Sequence, residues 1–329
     1  MSGRSPVSNI VNGQFSLILI ILVTILCWSV TIISKTDGIY PGEVNAGLLY
    51  NLLYRFITPE ILIIVNYALV LFIGLLLLWL NRRFSLIRTK TLLPFLFYML
   101  FLTIDSTAFF SFEGNINTFF LLIIVFYFFK SYQSEKFIEQ AFNIGLLLSL
   151  GSLFSGQMLF FIPMIWIGLA CMQVLSAKSF FASLVGILIP YWLVFCWFLY
   201  QKNLVGFAEP FYHLIQIKPL SVLDFNTSDW LRICFSGVIT ICGIVNFRMN
   251  SFKDKIKTRV YFYLLIALIV YVFLLLAFGI LPMSEYIGIY YFSVSLFAAH
   301  FFATVNTRMS TIFFYLFLIT FLGLLFFEF

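Results

Sequence analysis

The chain carries 13 acidic residues and two histidines, and five of these side chains combine type and position in a way that could do chemistry: Asp37, Glu43, Asp105, Glu113 and His213. Two or three carboxylates gathered in one place can bind a divalent cation, Mg2+ or Mn2+, and one alone can act as a general base. Asp37 and Asp105 are the pair best suited to hold a metal. Arg55, Lys202, Lys218 and Arg232 are basic groups able to hold a phosphate or pyrophosphate. None of these spacings matches a zinc or nucleotide fingerprint. The five cysteines form no C-x-x-C pair, and two histidines are too few for a multi-histidine iron or copper centre. What unites the candidates is topology, so the elements that carry them decide the argument.

Hydrophobic residues make up 63% of the 329 positions and charged residues 10%, against roughly 45–50% and 25% in soluble domains. A soluble globule could not hide that much apolar surface, which excludes soluble enzymes, nucleic-acid binders and disordered proteins. A helix needs about 20 apolar residues to cross the hydrocarbon. By that criterion the chain is an all-α, polytopic transmembrane bundle of about eleven spans. The expected spans are 15–34, 61–80, 92–110, 116–129, 140–154, 158–175, 180–200, 231–247, 260–280, 287–305 and 310–327. The fourth and fifth are short, and the fifth and sixth could merge.

Orientation follows from the basic residues, which collect in short cytoplasmic loops. With the N-terminus cytoplasmic, the outer side keeps five of the 19 Lys and Arg residues: Lys35, Arg55, Lys202, Lys218 and Arg232. Most carboxylates, Asp37, Glu43, Glu60, Asp105, Glu113 and Glu285 among them, go to the outer side. The net charge of +6 is then a topological signature and implies no nucleic-acid partner. The expected location is a bacterial inner (plasma) membrane, with membrane lipid as the constant partner.

Two external segments have substance. In 35–60 a turn-rich stretch precedes an amphipathic helix, 44–57, that would lie in the interface; Thr58 then caps the second span with Pro59 at its first position. In 201–230 a short interfacial helix containing His213 is bounded by Pro210 and Pro219. These loops divide the chain into a seven-span module, 1–230, and a four-span bundle, 231–329. Within the spans, Asp105 either faces a cavity or partner, as intramembrane acids do, or marks an early helix end. His300 is expected to bond between helices. The basic loop Arg248–Arg259 serves as a topological lock.

The arrangement resembles the C-type glycosyltransferase superfamily over about residues 1–230. Asp37, with Glu43 as rival, matches a catalytic acid just after the first span. Asp105, or Glu113, matches a second acidic site near the junction of spans three and four. His213 and Lys218 lie in the loop after span seven. The stretch from Asn143 to Pro163 is similar to the superfamily's small-residue hairpin, with Gly145, Ser149, Ser152 and Gly156 packing closely and Pro163 kinking the chain. One feature departs from the pattern: Asp37 is followed by Gly38, where a paired acidic dipeptide is common.

The resemblance implies transfer of a sugar from a polyprenyl-phosphate donor on the extracytoplasmic face. Asp37, Asp105 and Glu43 would be the catalytic group, and Arg55, Lys202, His213, Lys218 and Glu113 would bind substrate. The chain is also similar to an uncharacterised family of bacterial multi-span inner-membrane proteins. Two other expectations stand beside the enzyme. One is a non-catalytic subunit that joins a membrane-protein partner in a cell-envelope or secretion complex, and the other is a transporter of a lipid-linked substrate.

Overall fold

The computed structural model describes residues 58–89, 91–215, 227–278, 283–304 and 308–328, together with scattered positions between 18 and 29 and residues 47–48. All regular structure among the described residues is helical. In chain order the helices are α1 (Pro59–Phe84), α2 (Leu93–Ile104), α3 (Ser106–Phe110), α4 (Phe112–Ser131), α5 (Phe137–Phe154), α6 (Ile162–Cys171), α7 (Ala177–Tyr200), α8 (Leu204–Ile215), α9 (Thr227–Asn250), α10 (Ile256–Ala277), α11 (Met283–Thr304) and α12 (Arg308–Glu328). A 3-10 segment, Gly156–Phe161, leads into α6. Among the described residues, seven helices are long and apolar enough to cross a membrane: α1, α4, α5, α7, α9, α10 and α11.

α11 is the axis. It packs against α2, α3, α4, α9 and α10, and residues such as Tyr286, Tyr291, Phe292 and Phe297 are closed off from solvent. Around it the aromatic side chains interlock: Phe101 stacks on Tyr291 with centroids 5.5 Å apart, and Phe97 on Phe302 at 5.4 Å. At the other extreme, α7 exposes Phe181, Leu188, Trp192, Leu193 and Trp197. Their apolar bodies suit hydrocarbon, in which α7 needs little protein cover.

Small residues set the closest approaches. A Cβ added at Gly145 on α5 would collide with the backbone carbonyl of Ser183 on α7, and one at Gly186 with that of Phe142. The seam between α5 and α7 is therefore a small-residue contact, as the Gly145 pattern implies. Gly47, in the stretch ahead of α1, donates its N–H to Phe154 O at 2.9 Å at the end of α5. A side chain there would overlap the Leu153 and Phe154 backbone, so the absence of a Cβ lets that segment dock.

Several expected boundaries need correction. The third expected span, 92–110, is not one helix. α2 ends at Ile104, and Asp105 leaves helical geometry at φ −109°, ψ 88°. Twelve residues of α2 rise roughly 18 Å, well short of the hydrocarbon thickness. The Asp105 carboxylate accepts the N–H of Ala108 at 3.1 Å, which starts α3. Thr58 precedes α1 without a side-chain cap bond. Pro163 opens α6 near its first position instead of kinking a longer helix. The segment after α7 is helical over Leu204–Ile215, so Pro210 lies inside it and does not bound it. The fifth and sixth expected spans stay separate because Ser155 is extended, at φ −133°, ψ 105°. The interfacial helix 44–57 and the first span fall largely outside the described residues.

Candidate acidic sites at one end of the bundle

Asp105, Glu113 and Glu285 come to the same end of the bundle, because α2 finishes there while α4 and α11 begin there. Their surroundings differ. Asp105 is 1% exposed and fully engaged. Its Oδ1 accepts from Arg232 Nη1 of α9 at 3.2 Å as well as from Ala108 N–H, and its Oδ2 accepts from the Tyr291 hydroxyl of α11 at 3.1 Å. Arg232 is itself buried, so charge meets charge in a region of low dielectric. The carboxylate clamps the α2–α3 break to α9 and α11. This donor set does not fit a metal, since a guanidinium already supplies the positive charge on one oxygen and a phenol occupies the other.

Glu113 and Glu285 are drawn together by another small-residue seam. A Cβ at Gly114 on α4 would lie 2.5 Å from Ser284 O and 3.0 Å from Glu285 Cα on α11. One at Gly288 would lie 2.6 Å from Thr118 Oγ1. Gly114 and Thr118 are one turn apart on α4, as are Ser284 and Gly288 on α11, so the two helices meet along a matched strip. Glu113 and Glu285 flank it, close enough for the charge of Glu113 to act on Glu285. Among the described residues no basic group acts on Glu285 in the same way.

Ser155 completes the cluster from the break after α5. Its hydroxyl donates to Glu285 Oε2 at 3.2 Å and accepts from Asn117 Nδ2 at 3.1 Å. Asn117 lies one turn beyond Glu113 on α4 and is wholly buried. Two oxygens in this group, Glu113 Oε1 and Asn117 Oδ1, are buried without a hydrogen-bond partner. Both glutamates sit in the first turn of their helices. The helix ends favour a carboxylate by about 0.3–1 kcal/mol each. Repulsion between two like charges brought together away from water outweighs an effect of that size. The helix ends do not offset that, so the pair requires a proton, a cation or a basic group of a ligand between its members.

The two acidic sites are distinct. Tyr291 follows Glu285 by six residues on α11, roughly 9 Å along the axis and about 120° around it. A neutral polar bridge ties α1 to α3 and α4 at the same end. Asn66 Nδ2 of α1 donates to Phe109 O at 2.8 Å, and Asn115 Nδ2 donates to Asn66 Oδ1 at 2.9 Å.

The opposite end holds a third buried acid. Asp254 accepts from Arg88 Nε at 2.9 Å and pairs with Arg88 Nη2 at 2.8 Å, while His300 Nε2 of α11 approaches its other oxygen at 3.3 Å. The interhelical bond expected of His300 thus runs to the connection between α9 and α10. One acid within the Arg248–Arg259 loop is a structural anchor, which a reading by charge alone does not reveal.

Of the residues singled out from sequence, Asp37, Glu43, Arg55 and Lys218 lie outside the described residues. His213 falls within α8, with its side chain outside them. Lys202 is exposed in the turn after α7, at φ 55°. Glu113 is brought to Glu285, and Asp105 to Arg232. Sequence reasoning placed Glu285 among the outer carboxylates without promoting it, and it missed Asn117 and Ser155. The readable signal was Gly114 beside Glu113 and Gly288 one turn after Glu285, small residues that permit close helix approach. No three His, Cys, Asp or Glu side chains gather among the described residues. No protein-family model, curated protein or solved structure matches the chain.

Proposed function

We propose that this protein is a membrane-embedded transferase that moves a sugar from a polyprenyl-phosphate donor on the extracytoplasmic side, with the end carrying Asp105, Glu113 and Glu285 facing outward. The observation that carries the reading is the Glu113–Glu285 pair, a half-buried and a buried acid on adjoining helices, with no basic group acting on Glu285 among the described residues. A carboxylate in that state can take the proton of an acceptor hydroxyl as it attacks the sugar. The polyprenyl phosphate leaves as the glycosidic bond forms, and the proposed basic contacts Arg55, Lys202 and Lys218 meet its charge. The lipid tail would lie against exposed apolar faces such as that of α7. Asp37 and Glu43 remain the proposed acids of the first external segment, and Arg55, Lys202, His213 and Lys218 the proposed phosphate and sugar contacts. The orientation rests on the distribution of basic residues, and a bacterial inner membrane is its natural setting.

The same pair also supports a second reading, cation-coupled movement of a lipid-linked substrate, because intramembrane acids mark ion and proton paths. Reconstituted protein supplied with a radiolabelled polyprenyl-phosphate hexose separates the two. The transferase reading expects label in a new glycan, lost in Glu285→Gln and in Asp37→Asn. Movement of intact donor across the bilayer without transfer would replace it by the transport reading.

A further inference from the structure

We infer that Glu113, Glu285 and Asn117 form a binding site for one divalent metal cation of the hard, oxygen-preferring class. The assignment rests on the role given to this pair under the proposed function, and its test is separate. Three observations converge. The two carboxylates carry two negative charges when ionised, and no described basic group offsets them at Glu285. The available donors are oxygens: the carboxylates, the Asn117 amide and the Ser155 hydroxyl, a set that selects Mg2+, Mn2+ or Ca2+ over softer metals.

The third observation is independent of the acids. Asn117 is 0% exposed, its Nδ2 is committed to Ser155, and its Oδ1 accepts no hydrogen bond. An amide oxygen buried without a donor costs about 1–3 kcal/mol, and this one lies on the side chain that bonds Ser155, itself bonded to Glu285. A cation bound there would satisfy it together with Glu113 Oε1. The Gly114–Ser284 contact fixes α4 against α11, so the donors are held by two rigid helices and not by loops. Asp105 and Asp254 serve as internal contrasts, since each is neutralised by an arginine and offers nothing for a metal to do.

The test uses the full-length protein, purified in detergent and stripped with EDTA, and titrated with Mn2+ under electron paramagnetic resonance. About one bound Mn2+ per chain is expected, displaced by Mg2+ or Ca2+ and lost in both Glu113→Gln and Glu285→Gln, while Lys178→Gln, an exposed position, retains it. Asn117→Asp keeps the oxygen and adds charge, and is expected to tighten Mn2+ by about tenfold. This variant decides the assignment if a glutamate variant fails to fold. Absence of bound Mn2+ in the wild-type chain overturns the site, as does unchanged occupancy in both glutamine variants or weaker binding in Asn117→Asp. Sugar transfer that persists in EDTA removes the cation and leaves the transferase. Bound Mn2+ without transfer leaves the cation and removes the transferase.

Discussion

Asp105 and Glu285 are both buried acids at one end of the same bundle, and both touch Ser, Tyr, Arg or amide groups reached only through folding. Asp105 meets a guanidinium, a phenol and a backbone N–H. Glu285 meets a serine hydroxyl and the field of a second carboxylate. The first arrangement consumes its charge inside the protein and leaves a hinge between α2 and α3 fixed. The second has no such positive partner among the described residues. Burial of an acid therefore says little about function by itself; what matters is whether the protein also buries the matching positive group.

The comparison can be broken most forcefully at Arg232. Arg232→Ala leaves Asp105 buried without its cation, and a loss of about 3–5 kcal/mol is expected, read as a large fall in Tm in detergent. A fall below about 1 kcal/mol would show that Asp105 does not depend on the pair. Next in size is Gly114→Ala. The added methyl meets the Ser284 carbonyl and Glu285 Cα, so α4 must shift from α11 at a cost of about 1–3 kcal/mol. The same variant should weaken any ligand held between the helices, checked by the Mn2+ titration. At the opposite end Arg88→Gln is expected to cost about 1 kcal/mol, because Arg88 is 46% exposed and His300 still faces Asp254. The smallest change in stability belongs to the proposed site itself. Glu113→Gln removes a like charge and keeps the shape, so metal-free protein should be unchanged or slightly more stable while transfer is lost. A marked fall in Tm there would make Glu113 a structural acid like Asp105.

Much of this was legible before the fold was known, and the parts that were not share a cause. Asp105 stood out because an ionisable group in an apolar run demands a partner, and the run Asp105-Ser106-Thr107-Ala108 is itself a helix-start pattern. Its partner could not be named, since Arg232 is 127 positions away and competes with Arg55, Lys202 and Lys218 on the same side. The span 92–110 looked continuous because hydropathy averages over one broken position. Glu285 was only one of the outer carboxylates, and only the close seam of Gly114 with Ser284 brings it to Glu113. Asn117 and Ser155 gave no signal. Small polar residues in apolar helices are common, and their meaning lies in which neighbouring helix they face.

The central claim is that Asp105 is a structural charge and that Glu285 is held ready for something outside the chain. Thermal unfolding of metal-free protein, run side by side for Asp105→Asn and Glu285→Gln, tests it most directly. The account predicts a clearly lowered Tm for Asp105→Asn, which removes the carboxylate charge that the buried Arg232 meets, and a Tm at or above wild type for Glu285→Gln. The reverse order would contradict it.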